Sequence, residues 1–171
     1  KIVEQLSRAL GVLHSHNIMH RDISPCNVFI ADKSDEKFTV VLGDFDLVRE
    51  ISASATLYVG KKKYRAPEVV TAGYNEKSDI WSLGCVMLEL LLNDLPEDGY
   101  SGYSQEELRA EVIPRLQERN LDKDNVHVKR LFLLLQVDPK LRLDAKSVRT
   151  DAETVDETVR CLNQQLVNEK Y

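Results

Sequence analysis

Acidic and carboxamide side chains stand close to one another early in the sequence. Asp22 follows His20 and Arg21 directly, Asn27 comes five residues after Asp22, and Asp44 follows an apolar run. An aspartate can accept the proton of a reacting hydroxyl group, and carboxylate and amide oxygens suit Mg²⁺, a hard cation that prefers oxygen. These residue types are therefore candidates for proton transfer and for binding a hard metal ion.

Four short motifs occur in one order along the chain, and together they are far more specific than any of them alone. The first is H-R-D-x-x-x-x-N over residues 20–27, and the second is D-F-D over residues 44–46. A-P-E follows at residues 66–68, and D-I-W-S-L-G at residues 79–84 opens a strongly apolar stretch. Coincidence is a poor explanation for four motifs in this order.

The order of these motifs resembles that of the protein kinase family, and residues 138–142 add its D-P-x-x-R pattern. The resemblance covers residues 1–148 and implies a protein-kinase-like fold. The part implied is the mostly α-helical large lobe with a small β-hairpin, and the small lobe is absent. Residues 149–171 are interpreted as a separate helical tail.

The resemblance assigns phosphoryl transfer to the first two motifs. Asp22 is similar to the aspartate that accepts or orients the proton of the substrate hydroxyl group. Asn27 and Asp44 are similar to the pair that holds Mg²⁺ and the nucleotide. The implied activity is transfer of the γ-phosphate of ATP to hydroxyl groups of a protein substrate, with Mg²⁺ and ATP as cofactors.

Two further residues are implied to regulate this activity. Arg21 is similar to the arginine that receives a phosphorylated side chain through charge-assisted hydrogen bonds. Thr56, five residues before Lys61, is the candidate for that phosphorylated residue. The alternative is that Thr56 is an ordinary polar residue of a loop.

The remaining matches to the family are implied to be structural. Glu68 and Arg142 resemble a buried ion pair that joins the loop to the lobe. Asp79 resembles the aspartate that ties the central helix to the backbone of the catalytic loop. His20 and Phe45 complete the first two motifs and are expected to support them.

Three positions depart from the pattern of active serine/threonine kinases. Ser24 stands where the family has a lysine that meets the γ-phosphate, and Lys61 where it has a threonine beside the catalytic aspartate. Asp46 replaces the glycine of D-F-G, and aspartate reaches some glycine backbone angles only at a cost. One hypothesis is that Lys61 supplies the positive charge missing at Ser24.

These departures leave two functions open. The first is a serine/threonine kinase in which Asp22, Asn27 and Asp44 carry catalysis. The second is a pseudokinase that acts as a scaffold or regulatory binding domain. A phosphate-binding lysine upstream would favour the enzyme.

The family's Gly-rich loop and phosphate-binding strand lysine precede its catalytic loop. Only 21 residues precede Asp22, so this chain alone is expected to be inactive and to expose an apolar seam. Because the sequence begins at Lys1 without a methionine, a cut is expected. A natural start at Lys1 would instead indicate a binding module or a relic.

Residues 74–85 look most like the never-in-mitosis-related group of kinases, and serine/threonine specificity follows from that resemblance alone. Kinases of this group often carry coiled coils after the catalytic domain. In the tail, apolar residues recur at alternating steps of four and three: Val148, Ala152, Val155, Val159, Leu162 and Leu166. This stripe predicts either a partner helix or docking on the lobe's own surface.

Composition narrows the remaining function classes. The 171 residues carry a formal net charge of −5, which argues against a nucleic-acid footprint. The longest apolar run is too short to cross a membrane. Three cysteines without C-x-x-C spacing and the lack of a secretory signal predict an intracellular protein, cytoplasmic or nuclear.

Hydrophobic periodicity predicts the elements that position these motifs. Helices are expected over residues 1–15, from Ser78 or Asp79 to about Asn93, and over residues 104–119 and 126–137, with Pro139 ending the last. Residues 28–30 and 38–42 are predicted to pair as a hairpin. Residues 44–60 are predicted to form a long loop.

Three other groups have both functional and ordinary interpretations. His14, His16 and His20 could bind a metal ion or simply belong to the helix-to-loop junction. The basic run at residues 61–65 could favour acidic substrates or phosphates, or form a solvated surface. Cys26 could be a reactive thiol or a small space-filling side chain.

Overall fold

The computed structural model describes residues 1–33, 38–51 and 59–148, which contain four α-helices and two separate two-stranded sheets. The helices are α1 (Ile2–Ser15), α2 (Glu76–Leu92), α3 (Gln105–Gln117) and α4 (Val126–Leu134). The strands are β1 (Ile18–Met19), β2 (Val28–Lys33), β3 (Phe38–Leu42) and β4 (Arg49–Glu50). Short 3₁₀ turns cover Pro25–Asn27, Lys62–Tyr64 and Pro67–Val70.

Helix α2 runs through the hydrophobic core. A sequence that is apolar nearly all round favours a central helix, because no side of it gains from facing water. The fully buried side chains of α2 include Ile80, Trp81, Leu83, Cys85 and Leu88. The strongly apolar stretch that begins at residue 79 therefore lies in a buried helix.

The predicted start of α2 at Ser78 or Asp79 is wrong by about one turn. Asn75 is the N-cap: its side chain accepts a hydrogen bond from Lys77 N at 2.8 Å. Ser78 Oγ accepts a hydrogen bond from Asn75 N at 3.2 Å, which completes a capping box. Asn75 and Ser78 are both residue types that cap helices, and the helix begins after the first of them.

Helix α1 is amphipathic, as predicted, and buries Leu6 and Leu10 in the core. It also holds β3 through Gln5. The Gln5 amide nitrogen donates to Phe38 O at 3.0 Å, and Gln5 Oε1 accepts a hydrogen bond from Val40 N at 3.1 Å. The hairpin is therefore fixed to α1 by polar contacts as well as by apolar ones.

Strands β2 and β3 form the predicted antiparallel hairpin, with Val28 opposite Leu42 and an irregularity after Ile30. Strand β2 is longer than the predicted residues 28–30. Strands β1 and β4 form a second sheet, with Ile18 opposite Glu50, that was not predicted. Two-residue strands are too short to show a period of two, so this sheet leaves no sequence pattern.

Helix α4 ends at Leu134, which is earlier than the predicted residue 137 and well before Pro139. Leu135 leaves the helical conformation, with φ −95° and ψ 44°, and packs against Gly84 of α2. A Cβ atom on Gly84 would lie 2.7 Å from Leu135 Cδ2. Helix α4 therefore ends where Leu135 packs against Gly84, before Pro139 is reached.

Residues 149–171, and with them the predicted helical tail, lie outside the described residues. Among the helices of residues 1–33, 38–51 and 59–148, none combines the length and apolar character needed to cross a membrane. Two cysteines are described and both are free, Cys26 exposed and Cys85 buried.

Candidate active site

Asp79, in the first turn of α2, holds the backbone of the loop at residues 20–27. Its Oδ2 accepts a hydrogen bond from His20 N at 2.9 Å, and its Oδ1 accepts one from Arg21 N at 2.8 Å. His14 Nε2 lies 2.9 Å from the same Oδ2. Asp79 is buried, and a buried carboxylate that accepts several hydrogen bonds fixes its donors in place.

Arg21 places a buried cation at the base of this loop. Its backbone φ is +68°, which is uncommon for residues other than glycine. Its Nε donates to Leu47 O at 2.8 Å, and its guanidinium carbon lies 5.5 Å from the ring centroid of Tyr74. Burial and the nearby positive charge of Arg49 lower the pKa of Arg21. Thr56, the predicted phosphorylated residue, lies outside the described residues.

Asn27 clamps Asp22. Its Nδ2 donates to Asp22 O at 2.7 Å and to Asp22 Oδ2 at 2.8 Å. The 3₁₀ turn that carries Asn27 is closed by a hydrogen bond from Asn27 N to Ser24 O at 3.0 Å. Because the amide nitrogen is used by Asp22, the amide oxygen of Asn27 is the atom left to bind a cation.

Backbone contacts bring Asp44 beside the same loop. Gly43 N donates to Asn27 O at 2.9 Å, and His20 Nε2 lies 3.2 Å from Gly43 O. The ring of Phe45 meets the ring of His20 edge-on, with centroids 5.2 Å apart. Asp44 is exposed and has a φ of +61°. The residue before Asp44 is thus hydrogen-bonded to Asn27, although 16 residues of sequence separate Asp44 from Asn27.

The donor set of Asn27 and Asp44 fits Mg²⁺. The two residues offer an amide oxygen and an exposed carboxylate, and Mg²⁺ in phosphoryl-transfer sites takes one or two protein oxygens together with waters and substrate phosphates. Asp46 is exposed and does not take a positive φ, so this conformation does not require glycine at the third position of D-F-D.

The three histidines near this loop have separate partners. His14 pairs with Asp79, His16 Nδ1 lies 2.8 Å from Val12 O, and His20 faces the Gly43 carbonyl. Within the part of the chain that the structure describes, no three His, Cys, Asp or Glu side chains are grouped so that they could hold a metal ion. The partners of His14 and His20 join the end of α1 to the loop that follows it.

Lys61 reaches into the loop at residues 20–27. Its Nζ donates to Asp22 Oδ2 at 2.9 Å and to Ser24 Oγ at 3.1 Å, and its backbone N donates to Asp22 Oδ1 at 3.3 Å. Burial raises the pKa of Asp22, but the hydrogen bonds from Lys61 and Asn27 outweigh it and hold that pKa below its usual value. Asp22 is therefore an ionised, braced carboxylate at neutral pH.

Gly60 allows the chain to approach the loop closely enough for this contact. Its φ is +74°, and a Cβ atom there would lie 2.5 Å from Arg21 O. The Tyr74 hydroxyl donates to Val59 O, and Arg65 Nη2 donates to Gly60 O at 3.1 Å. The sequence does not predict these contacts: Gly60 is only the last residue of the predicted loop at residues 44–60, and no sequence pattern indicates a role for Tyr74.

The structure brings Glu68 and Arg142 together as a buried pair. Arg142 Nη1 and Nη2 donate to the two carboxylate oxygens of Glu68 at 2.7 and 3.0 Å. Ser78 Oγ donates to Glu68 Oε1 at 2.9 Å, and the guanidinium of Arg142 lies 5.1 Å from the centroid of Trp81. The 3₁₀ turn that carries A-P-E is thereby connected to the start of α2.

The remaining lysines of the basic run face other acidic groups. Lys62 Nζ lies 2.5 Å from Asp98 Oδ1 on the surface, and Lys63 Nζ lies 3.3 Å from Glu89 Oε1. Lys61, by contrast, contacts Asp22. Three consecutive lysines thus reach three separate carboxylates.

Comparison with known proteins gives consistent matches. Residues 1–167 match the family described as protein kinase domain. The chain is 36% identical over 147 residues to serine/threonine-protein kinase Nek2 of Homo sapiens, which covers 78% of this chain and 32% of that protein. It is 38% identical over 121 residues to Nek2 of Mus musculus, covering 66% of this chain and 26% of the relative.

A more distant match covers more of the sequence. Mitogen-activated protein kinase 14 of Xenopus laevis is 30% identical over 158 residues, which covers 91% of this chain and 43% of that protein. The chain therefore spans less than half the length of each of these three relatives.

Proposed function

The chain belongs to the protein kinase domain family, as its motifs and its likeness to Nek2 indicate, and we propose that it carries the hydroxyl- and Mg²⁺-positioning residues of a serine/threonine kinase. The observation that carries the proposal is the braced carboxylate of Asp22, clamped by Asn27 on a loop whose backbone Asp79 fixes. ATP and a protein are its proposed substrates. The proposal places these residues in the large lobe of a protein kinase.

Each residue has its own part in the proposed reaction. Asp22 orients the acceptor hydroxyl group and takes its proton as the hydroxyl oxygen bonds to the γ-phosphorus. The bond from that phosphorus to the bridging oxygen breaks, and ADP leaves with the electron pair. The Asn27 amide oxygen and the Asp44 carboxylate would hold Mg²⁺, which would offset phosphate charge. Asp79 keeps the loop backbone in place throughout.

Regulation by phosphorylation is a further part of the proposal. The Arg21 guanidinium is buried, contacts Tyr74 and lies near Arg49, which provides two cations for one anion. A phosphate on Thr56 would form charge-assisted hydrogen bonds with these arginines. We also propose that the tail at residues 149–171 binds a partner helix. The proposed location is intracellular, where ATP is available.

A scaffold without turnover is the second candidate function. The observation that favours it is the Lys61 ammonium group, which lies 2.9 Å from Asp22 Oδ2 and competes with an acceptor hydroxyl for that oxygen. In a scaffold this ion pair would lock the site, and in an enzyme it would orient the carboxylate. Measured phosphate transfer separates the two.

The test uses the full-length protein that contains this chain, incubated with radiolabelled ATP, Mg²⁺ and a mixture of protein acceptors. We expect Mg²⁺-dependent labelling that Asp44→Asn reduces by at least about 100-fold, since the one negatively charged ligand proposed for the metal becomes neutral. Asp98→Asn, at an exposed surface pair, is the matched control and should label normally. Labelling that is absent from the wild type would favour the scaffold, and labelling that Asp44→Asn leaves unchanged would contradict the assignment of Asp44 as a metal ligand.

A further inference from the structure

Ser24 and Lys61 carry, in exchanged positions, the two side-chain types that the protein kinase pattern places around its catalytic aspartate. The pattern has a lysine at the position of Ser24 and a hydroxyl residue, threonine, at the position of Lys61. This chain has the hydroxyl at residue 24 and the ammonium group at residue 61. Neither type is lost, and the two side chains contact each other at 3.1 Å.

The exchanged side chains surround one carboxylate. Lys61 Nζ lies 2.9 Å from Asp22 Oδ2, and Ser24, on the loop that carries Asp22, is fully buried. Because Ser24 Oγ lies 3.1 Å from the Lys61 ammonium group, a lysine at residue 24 would bring a second positive charge beside it. The structure therefore supplies from residue 61 the cation that the loop itself lacks.

The backbone around Lys61 is built for this approach. Gly60 has a φ of +74°, and its Cα faces Arg21 O so closely that a Cβ atom would lie 2.5 Å from that oxygen. Tyr74 bonds to Val59 O and Arg65 bonds to Gly60 O, so both residues preceding Lys61 are held. The backbone that carries Lys61 is therefore held in place by neighbouring residues.

The Lys61 ammonium group retains capacity for a further acceptor. A lysine ammonium group has three N–H donors. Within the described residues Nζ has two hydrogen-bond partners, Asp22 Oδ2 and Ser24 Oγ. The side chain is 41% exposed, so the group is accessible to an incoming ligand. A phosphoryl oxygen is a suitable third acceptor, because its hydrogen bond to an ammonium group is charge-assisted.

We propose that Lys61 is the cationic residue that contacts the γ-phosphate of bound ATP, in place of the loop lysine that Ser24 replaces, and that Ser24 positions its ammonium group. The inference rests on the proposed kinase function and adds a residue to its active site. It also explains how the site tolerates serine at position 24. Lys61 neither gains nor loses a proton during phosphate transfer, because it acts only through its positive charge and its hydrogen bonds.

A binding experiment tests this contact without turnover. The probes are Mg·ADP and the Mg²⁺ complex of the imido analogue of ATP, which retains a γ-phosphate that cannot be transferred. In the full-length protein, Lys61→Met should weaken binding of the imido analogue about 10- to 100-fold, the effect of losing one charged hydrogen bond, and leave ADP binding unchanged. Lys62→Met is the matched control, since Lys62 pairs with Asp98, and it should change neither affinity.

A charge relocation adds a rescue that a purely structural role would not show. Lys61→Thr should lose the preference for the imido analogue over ADP, and Ser24→Lys combined with Lys61→Thr should restore it. The rate of phosphate transfer should follow the same order. If the double variant fails to fold because Ser24 is buried, Lys61→Met against Lys62→Met still decides the question.

The outcomes separate this inference from the proposed function. An unchanged ratio of the two affinities in Lys61→Met overturns the inference, even in a wild type that transfers phosphate. If Lys61→Met reduces the ratio of the two affinities but the wild type transfers no phosphate, the Lys61 contact is supported and the kinase proposal is overturned. A wild type that binds neither nucleotide overturns both.

Discussion

Glu68 and Arg142 are 74 residues apart in the sequence, yet their side chains form a two-point ion pair in which the Arg142 side chain has no exposed surface. Arg142 also donates to the backbone carbonyls of Lys77 and Gln136. One guanidinium group thus joins the A-P-E turn, the start of α2 and the chain after α4. Its position makes the fold sensitive to the charge of Glu68.

Removing that charge should be strongly destabilising. Glu68→Gln leaves the Arg142 guanidinium buried without its counter-charge, and breaking a buried pair on one side costs about 3–5 kcal/mol. Urea unfolding followed by the fluorescence of Trp81, the one tryptophan of the sequence, measures this loss. Asp98→Asn, which breaks the exposed pair with Lys62, should cost less than about 1 kcal/mol. Equal costs for the two variants would contradict a structural role for the Glu68–Arg142 pair.

Gly60 and Gly102 form a second matched comparison. Gly60→Ala places a methyl group 2.5 Å from Arg21 O at a positive φ, so we expect a loss of about 2 kcal/mol or more. Gly102→Ala meets nothing within 4 Å and should stay within about 0.5 kcal/mol of the wild type. The measurement is again urea unfolding. A Gly60→Ala variant as stable as Gly102→Ala would show that residues 59–61 do not pack against the loop at residues 20–27.

Spacing alone could group only the site residues that are close in the chain, whereas a contact between distant segments, such as that of Glu68 with Arg142, could be expected only from the family resemblance. Asp22 and Asn27 lie on one short loop, so their spacing alone indicates that they act together. The contact of Lys61 with Ser24 spans 37 residues and depends on the close approach that Gly60 permits. Two mismatches with the family pattern suggested a compensating charge, but only the fold shows where the ammonium group lies.

The same distinction holds for the secondary structure. Helices α1 and α2 have long apolar patterns and were predictable, because many residues contribute to one period. The second sheet, β1 with β4, has two residues in each strand and no detectable period. The end of α4 lies where Leu135 packs against Gly84, which is a tertiary contact that a local pattern does not encode.

The two described cysteines should differ sharply in reactivity. Burial raises the pKa of the Cys85 thiol to about 12, so almost none of it is thiolate at neutral pH, whereas Cys26 is exposed. In a Cys161→Ser background, iodoacetamide should label Cys26 in the folded protein and Cys85 only after denaturation. Peptide mass mapping gives the sites. Labelling of both at equal rates in the folded state would contradict the buried position of Cys85.

The pKa of Asp22 should depend on Lys61. A carboxyl group whose folded-state pKa lies below its ordinary value of 3.8 stabilises the fold above that pH, and the contribution is lost as the pH falls through the lower folded-state pKa. Carboxyl-carbon NMR should give an Asp22 pKa below 3.8 in the wild type and a higher one in Lys61→Met. The unfolding free energy of the wild type should accordingly exceed that of Lys61→Met at neutral pH, with the difference shrinking in acid. An Asp22 pKa that is the same in both proteins would show that the ion pair does not form in solution.

The most direct test of the whole account is the single-turnover rate of phosphate transfer by the full-length protein, compared with its Asp22→Asn variant at saturating Mg·ATP. Asparagine keeps the shape of Asp22 and cannot take the hydroxyl proton, so the rate should fall by about 10²–10⁴-fold. Binding of Mg·ATP should stay unchanged, because Asp22 is not proposed as a ligand of the metal or the nucleotide. A variant that transfers phosphate at the wild-type rate would contradict the assignment of Asp22 as the residue that accepts the proton.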